Sequence, residues 1–256
     1  MSNKRAHYPS LAGRSVFISG GGSGIGAMLV EFFARQKAKV CFIDIADAPA
    51  KALCAQLIEQ GLPAPLYIRC DVTDIAALQA AIAQAAQRHG AIDVLVNNAA
   101  YDERHSLADL TPELWQSLID VNLRHHAFAI QAVASGMRAR KSGSIINLSS
   151  ITWLKGTPGL PVYVTAKAGI VGLTKAMARE LGGDGIRVNA VLPGWIMTQR
   201  QIEKWLTPEA EVMLMRNQAL KEKLYPEDVA AMVLFLAAED SRLISGQSFN
   251  VDGGAT

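Results

Sequence analysis

Short apolar runs alternate along the chain with longer stretches in which apolar residues recur about every three or four positions. Runs of the first kind predict buried strands, and stretches of the second kind predict amphipathic helices. The predicted strands are 14–20, 38–44, 64–70, 92–97, 143–149, 186–192 and 247–251. The predicted helices are 24–36, 47–60, 74–89, 111–139, 161–182 and 226–239.

Strands that alternate with helices in this way are typical of a parallel sheet covered by helices on both faces. We therefore predict an α/β protein with a doubly wound parallel sheet of about seven strands. No linker divides the sequence, so residues 1–256 are predicted to form a single domain. The segment 199–225 interrupts the alternation and is mostly helical by its pattern, polar on one side and apolar on the other.

A glycine-rich turn lies between the first predicted strand and the first predicted helix. Glycines let backbone N–H groups come close to a phosphate, and the N-terminus of a helix carries partial positive charge. The turn therefore predicts a cradle for the pyrophosphate of a dinucleotide, although it meets the general G-x-G-x-x-G spacing only loosely. An ordinary loop is the alternative interpretation. The residues assigned to the cradle are Gly20, Gly22, Ser23, Gly24, Ile25 and Gly26.

Asp44 ends the second predicted strand, 18 residues after Gly26. A carboxylate at this distance accepts hydrogen bonds from the adenosine ribose and repels a 2′-phosphate. Positions 45 and 46 are Ile and Ala, and position 23 is Ser, so these positions offer no cation to a 2′-phosphate. The sequence therefore favours NAD over NADP, with a solvated aspartate at a strand end as the alternative.

Tyr163 and Lys167 are four residues apart in a predicted helix and therefore project from the same face. A free tyrosine has a pKa of about 10, which is too high for a base at neutral pH. A nearby ammonium group could lower the pKa of the phenol and make it a working acid or base. Ser150, thirteen residues before Tyr163, could hold a substrate oxygen while the proton moves. A surface helix with an ordinary Tyr and Lys is the alternative.

With these motifs in order, the chain resembles the short-chain dehydrogenase/reductase family over nearly its whole length. The resemblance implies a Rossmann-type fold, a catalytic set of Asn122, Ser150, Tyr163 and Lys167, and a substrate lid near 195–225. An ordinary amphipathic helix packed on the body is the alternative for the lid. The further residues that match the family's cofactor contacts, beyond the glycine turn and Asp44, are Asp71, Val72, Asn98, Ala99, Tyr163, Lys167, Pro193, Ile196 and Thr198.

Two positions depart from the family pattern. Ala100 replaces a glycine that tolerates positive φ, so the turn after the fourth strand is expected to be reshaped slightly. Ser19 stands where the family usually has Thr, and it keeps the hydroxyl group.

The composition excludes several other classes of protein. A net charge of +2 with mixed signs gives no basic stripe, so we expect no nucleic-acid partner. Lys4 and Arg5 are not followed by an apolar signal segment, and no apolar run is long enough for a membrane span. The three cysteines are expected to be reduced thiols of a cytoplasmic protein. We expect no metal site, and His125 and His126 are placed on a packed helix surface.

The residues expected around the substrate combine charged groups, amides and indoles, which suits a sugar better than a steroid or an acyl chain. Five runs (102–105, 121–125, 145–153, 198–201 and 206–210) make the chain look like aldose 1-dehydrogenases acting on pentoses or hexoses. The substrate residues assigned are Asp102, Arg104, Ser150, Thr152, Trp153, Tyr163, Trp195 and Gln199. Tyr101, Glu103, His105 and Arg200 complete the expected surroundings of the pocket.

Two other functions stay open at this point. One is an NAD(P)-dependent enzyme acting on another secondary alcohol or ketone, of the sugar-acid or 3-oxoacyl type, although Asp44 argues against the usual NADPH preference of reductases. The other is a non-catalytic sensor on the same fold, which would have no need of an activated phenol. The resemblance also implies a homotetramer that packs the helices at 111–139 and 161–182 against their copies. Its candidate contacts are Leu118, Phe128, Ile130, Ile170, Leu173 and Met177.

Overall fold

A computed structural model describes residues 6–256 and contains one sheet of seven parallel strands. The strands lie in the order β3-β2-β1-β4-β5-β6-β7. The chain therefore winds outward in one direction from β1 to β3 and in the other direction from β4 to β7, as predicted. Their bounds are β1 Ser15–Ser19, β2 Lys39–Asp44, β3 Leu66–Arg69, β4 Val94–Asn97, β5 Gly143–Leu148, β6 Ile186–Pro193 and β7 Ser248–Val251.

Helices cover the sheet on both faces because the buried strands alternate their side chains between two cores. Val16 and Ile18 of β1 join the core under the first, second and last long helices, whereas Phe17 joins the core on the opposite face. The helices are α1 Gly24–Arg35, α2 Asp47–Glu59, α3 Ile75–His89, α4 Pro112–Ile119, α5 His125–Arg140, α6 Thr152–Lys155, α7 Pro161–Leu181, α8 Gln199–Trp205, α9 Pro208–Asn217 and α10 Pro226–Ala237.

The helix predicted at 111–139 is divided in the structure. One π-helical turn, Asp120–Arg124, separates α4 from α5. A π turn inserts an extra residue into the helical register and is frequent at functional sites. Asn122 lies in the middle of this turn and is fully buried. Periodicity alone could not show the insertion, because the apolar pattern continues through it.

The segment that interrupts the strand–helix alternation forms the two short helices α8 and α9. Thr198 and Thr207 cap them by accepting hydrogen bonds from the backbone N–H groups of Gln201 and Ala210. Every residue of α8 and α9 is at least partly exposed, so this segment adds little to the core. A bridge between Ile196 and Leu224 joins the two ends of this segment to each other, and both residues pack in the core beside α1 and α10.

The structure bears on several of the exclusions made from composition. Cys41, Cys54 and Cys70 are free thiols. Within residues 6–256 no helix is long and apolar enough to cross a membrane. The same residues contain no cluster of three or more His, Cys, Asp or Glu that could hold a metal ion. Lys4 and Arg5 lie outside the described residues.

The two histidines lie on helix α5, and packing buries the surface they occupy more completely than the sequence indicates. His125 and His126 are completely buried, with their ring centroids 4.2 Å apart. The Nε2 atom of His125 lies 3.1 Å from the carbonyl oxygen of Ala99. Burial, together with the charge of Lys167, lowers the pKa of His125 to about 3 and that of His126 well below its ordinary value. Both imidazoles are therefore neutral at physiological pH.

Candidate active site

The predicted site residues gather at the edge of the sheet where the parallel strands end. Ser19, Asn97 and Leu148 are the last residues of three neighbouring strands, β1, β4 and β5. The chain diverges to opposite sides of the sheet after β1 and β4. In open parallel sheets this divergence leaves a crevice at the carboxyl ends, where ligands bind.

The glycine turn has the shape that a dinucleotide phosphate requires. A Cβ atom on Gly26 would overlap the carbonyl oxygen of Gly20, so the turn and the first turn of α1 approach more closely than any side chain allows. Gly24 has a φ of +54° and starts α1. The N-cap Ser23 has an extended backbone, and its side chain makes no capping hydrogen bond within the described part of the chain. The first N–H groups of α1 can therefore bind an anion.

Asn98 and Ser19 connect this turn to the end of β4. The side-chain amide of Asn98 donates to the carbonyl oxygens of Ser19 and Gly20, at 3.0 and 2.9 Å. The hydroxyl of Ser19 accepts hydrogen bonds from the backbone N–H groups of Asn98 and Ala99, at 3.0 and 3.1 Å. Asn98 was predicted to contact the cofactor, but its amide nitrogen holds the glycine turn in place. Ser19 performs the same bracing function with its hydroxyl.

Ala100 comes directly after the residues that Ser19 holds, and its backbone is not in the left-handed region. Within residues 6–256, the non-glycine residues with positive φ are Lys37 and Lys141. Ala100 is not one of them, so the turn is built without the left-handed conformation that the family's glycine would permit.

Asp44 lies beside the glycine turn in the position expected for a ribose-binding carboxylate. Its Oδ2 accepts a hydrogen bond from the Gly22 N–H at 2.8 Å, and its Oδ1 accepts one from the Ala46 N–H at 2.9 Å. A Cβ on Gly22 would lie 2.9 Å from the carboxyl group, so only glycine fits there. These bonds fix the carboxylate against the turn while leaving it half-buried. The residues present therefore fit a dinucleotide.

The other predicted cofactor residues line the same edge. Val72 is buried just after β3, and Asp71 uses its Oδ1 to accept hydrogen bonds from the N–H and hydroxyl of Thr73. Pro193 ends β6, Ile196 is buried, and Thr198 begins the segment containing α8. The methyl group of Thr198 would lie 3.2 Å from a Cβ on Gly24, so this segment starts directly against the glycine turn.

Ser150, Tyr163 and Lys167 come together as predicted. Tyr163 hydrogen-bonds with the Ser150 side chain. The ammonium of Lys167 donates to the carbonyl oxygen of Leu148 at 2.9 Å and lies 5.4 Å from the centroid of the Tyr163 ring. Lys167 is 1% exposed, and burial lowers its pKa to about 7, with Asp102 acting in the opposite direction.

The electrostatics of Tyr163 differ from the expectation. Burial raises the pKa of the phenol above its ordinary value, and the Asp102 carboxylate raises it further. The hydrogen bond to Ser150 and the charge of Arg200 lower the pKa, but by less than burial raises it. The expected lowering by Lys167 is not the dominant effect, because this ammonium is itself desolvated and directed at a backbone carbonyl.

The side chain of Asn122 is fully engaged with the neighbouring loop. Its amide nitrogen donates to the carbonyl oxygens of Tyr101 and Leu118, and its oxygen accepts from the Tyr101 N–H at 2.9 Å. The π turn places this side chain under the loop that follows β4. The structure assigns the side chain to holding Tyr101 and the residues after it.

The loop after β4 contacts α8 through a network centred on Asp102. The guanidinium of Arg200 pairs with one carboxylate oxygen at 2.8 Å, and the amide nitrogen of Gln201 donates to the other at 3.0 Å. The indole N–H of Trp195 donates to the Gln201 amide oxygen at 2.8 Å. Gln201 was not among the predicted site residues. Its sequence signals are its place in the run 198–201 and its position one turn into the helix after Thr198.

Several predicted substrate residues point elsewhere. Gln199 is exposed and donates to Glu203 at 2.6 Å along the outer side of α8, which argues against its predicted substrate role. Arg104 stacks its guanidinium 3.8 Å from the centroid of the Trp205 ring, so it joins the loop to α8. Trp153 packs against the cluster that contains Ile151, on the inner side of α6.

Thr152 and His105 lie beside the same region. The N–H of Thr152 donates to the Ser150 hydroxyl at 3.2 Å. The Thr152 hydroxyl and the Nε2 atom of His105 are buried without hydrogen-bond partners among residues 6–256. Glu103 is exposed.

Comparisons with known proteins agree with this geometry. The family model described as enoyl-(acyl carrier protein) reductase matches residues 20–256. The chain is 52% identical over 249 residues to a D-xylose 1-dehydrogenase of Caulobacter vibrioides, covering 97% of this chain and 98% of that one. It is 46% identical over 254 residues to a protein of Rhizobium meliloti described as a probable galactose dehydrogenase, covering 99% of each.

A solved structure has the same fold. The 3-oxoacyl-[acyl-carrier protein] reductase of Brucella melitensis superposes with a TM-score of 0.90 at 31% identity, covering 99% of this chain and 97% of that one. Together with the glycine turn and the Ser150–Tyr163–Lys167 cluster at one edge of the sheet, these matches show that the chain belongs to the short-chain dehydrogenase/reductase family.

Proposed function

We propose that this protein is an NAD-dependent aldose 1-dehydrogenase that oxidises a cyclic pentose or hexose at C1 to its lactone. The observation that carries the proposal is the polar mouth of the site, where Asp102, Arg200, Gln201 and Trp195 form one network. The predicted class of oxidoreductase is confirmed by relatives named as sugar dehydrogenases at 52% and 46% identity.

The cofactor proposed is NAD, held by the glycine turn, the first turn of α1 and Asp44. When bound, its nicotinamide supplies the acceptor for the hydrogen and electron pair that leave C1. Asp44 supports NAD over NADP because its charge, fixed at the glycine turn by Gly22 and Ala46, would repel a 2′-phosphate.

In the proposed reaction, Tyr163 and Ser150 hold the anomeric hydroxyl, and Tyr163 takes its proton. Loss of this proton concentrates negative charge on the anomeric oxygen, which favours departure of the hydrogen on C1 with its electron pair. Lys167 stabilises the charge that develops beside it in a water-poor environment. Burial raises the pKa of the Tyr163 phenol and so favours its protonated form in the empty site. The proposed reaction therefore requires that the filled site favour the phenolate.

Recognition of the sugar is assigned to the loop after β4 and to α8. A sugar offers hydroxyl groups for polar partners and C–H faces for an aromatic ring. Asp102 and Gln201 supply the polar partners, and Trp195, oriented by its bond to Gln201, supplies the ring. These three replace Gln199, Arg104 and Trp153 as the residues that the geometry favours.

The test is NADH production from a panel of pentoses and hexoses, with long-chain alcohols and 3-hydroxyacyl thioesters as the contrasting substrates. Deuterium at C1 of the active sugar should appear in NADH, and the product should be trapped as the aldonate. Transfer of label from another carbon, or activity confined to the apolar substrates, would leave a dehydrogenase but remove the aldose assignment.

We also propose that the protein is a homotetramer, on the family resemblance, with α4, α5 and α7 as the contact surface. Three of the predicted contact residues are better assigned to the chain's own interior, because Leu118, Ile130 and Ile170 are at most 2% exposed. Phe128, Leu173 and Met177 keep partial exposure and remain candidates. Light scattering at micromolar concentration should give a tetramer mass, and a monomer would reject the assembly.

A further inference from the structure

An ion pair joins the two elements of the mouth, the loop after β4 and helix α8. Arg200 and Asp102 pair at 2.8 Å, and their side chains are 37% and 22% exposed. Arg200 also lies over the ring of Tyr101, 5.0 Å from its centroid. Tyr101 in turn is held by the buried amide of Asn122. The guanidinium of Arg200 therefore contacts two adjacent residues of the loop, Tyr101 and Asp102.

The two members of this pair act on the reacting phenol in opposite directions. The negative charge of Asp102 favours the protonated form of Tyr163, and the positive charge of Arg200 favours the phenolate. Asp102 also favours the charged form of Lys167. The charged groups that act on Tyr163 are thus Asp102 on the loop and Arg200 on α8. Lys167, on the same helix as Tyr163, lies 5.4 Å from the centroid of its ring.

We propose that Arg200 is a positioning residue of the reaction, which orients the Asp102 carboxylate for substrate and cancels its charge beside Tyr163 when α8 is seated. The inference rests on the proposed acid–base function of Tyr163. This role makes the ability of Tyr163 to take a proton depend on whether α8 lies against the loop after β4. An unpaired Asp102 would hold the phenol protonated, so a displaced α8 leaves the site unable to take the proton.

The role requires a fixed guanidinium rather than any positive charge on the helix. Lys204 lies on the same helix, is exposed, and makes no ion pair with residues 6–256. Lys204→Met therefore removes a cation from α8 without touching Asp102. It is the matched control for Arg200→Met, while Arg200→Lys keeps the charge with a different geometry.

The test is the pH dependence of kcat/KM for D-xylose at saturating NAD. Activity appears as the base loses its proton, so it is present above the pKa of the base and lost below it. Arg200→Met should shift the pH midpoint of this fall in kcat/KM, the acid limb of the profile, upward by about one pH unit. Asp102→Asn should shift the same midpoint downward. The double variant of Arg200→Met and Asp102→Asn should return the midpoint of the acid limb close to its wild-type pH. The midpoint for Arg200→Lys should lie between those of wild type and Arg200→Met. Lys204→Met should leave the midpoint unchanged.

A loss of rate without any movement of the limb in Arg200→Met would overturn the proposal, because a purely structural role predicts that result. If the wild-type protein oxidises no aldose, the proposed function fails, and a second measurement still decides this inference. Ultraviolet difference titration of tyrosinate in the NAD-bound protein, with Tyr163→Phe subtracted, follows the same phenol without substrate. Its midpoint should rise in Arg200→Met and fall in Asp102→Asn, and an unchanged midpoint in both would reject the electrostatic link.

Discussion

The cofactor side and the substrate side of the site are held together by different kinds of contact. On the cofactor side, Ser19 and Asn98 join backbone groups of β1 and β4, and Gly26 packs directly against the carbonyl of Gly20. On the substrate side, partly exposed side chains carry the contacts between the loop after β4 and α8, chiefly the pair of Asp102 and Arg200.

These two kinds of contact give the two sides different rigidity. Backbone contacts among glycines leave no rotamers to change, and they connect strands that are buried on both faces. A partly exposed ion pair contributes at most about 1 kcal/mol, so the pair of Asp102 and Arg200 by itself does little to fix α8. We therefore propose that the molecule combines a fixed binding site for the cofactor with an adjustable cover over the substrate.

The largest expected effect separates chemistry from cofactor binding. Tyr163→Phe should lower kcat by about 100- to 10,000-fold, because it removes the group that takes the proton. The affinity for NAD, measured by calorimetry, should change little, because the glycine turn and Asp44 are untouched. Tyr101→Phe removes a hydroxyl at the mouth and serves as the control. Retention of most of the rate in Tyr163→Phe would mean that another base acts.

Lys167→Ala tests a residue that is expected to act on both the cofactor side and the substrate side. The lysine is expected to contact the nicotinamide ribose and to stabilise the phenolate, so both kcat and NAD affinity should fall. An effect on kcat alone would restrict Lys167 to the substrate side.

Asp44→Ala should produce the next largest change, on the cofactor side alone. The preference for NAD over NADP in kcat/KM should narrow by about 10- to 100-fold, as expected for losing a charged hydrogen-bond partner and a repulsive charge. Asp47→Asn removes a nearby carboxylate outside the turn and should keep the preference. Equal efficiency with both cofactors in the wild-type protein would contradict the assignment of Asp44.

The smallest effect sharpens the description of the adjustable side. Gln201→Leu removes the amide that joins Asp102 to Trp195, and it should raise KM for the sugar by about 3- to 10-fold with little change in kcat. Gln199→Leu, on the exposed side of the same helix, should have no such effect. Steady-state kinetics on the two variants distinguish the observed geometry from the sequence prediction, which named Gln199.

The success of the sequence predictions follows the same division. The seven strands, the glycine turn and the Ser150–Tyr163–Lys167 cluster are encoded by local patterns, since each depends on short-range periodicity or on fixed spacing within one helix. The position of Asp44 follows equally from the end of a strand. All of these lie on the rigid framework.

The substrate side could not be predicted in the same detail, because its contacts join segments about a hundred positions apart. Whether Gln199 or Gln201 faces Asp102 depends on the rotation of α8, which is fixed by the Thr198 cap and by the bridge at Ile196. The π turn at Asn122 could not be predicted because apolar residues continue at helix-like intervals on both sides of it.

The buried histidine pair sets a limit on the acid tolerance of the fold. Neither ring nitrogen of His126 has a hydrogen-bond partner among residues 6–256, and Lys167 adds positive charge nearby. Because the folded pKa values lie below the unfolded value of about 6.5, the unfolded chain binds more protons as the pH falls from there. Each histidine should then weaken the fold by about 1.4 kcal/mol per pH unit. Replacing His126 by Leu should flatten the fall of melting temperature between neutral and mildly acidic pH. Helix α5 therefore carries an acid sensitivity that has no part in the proposed chemistry.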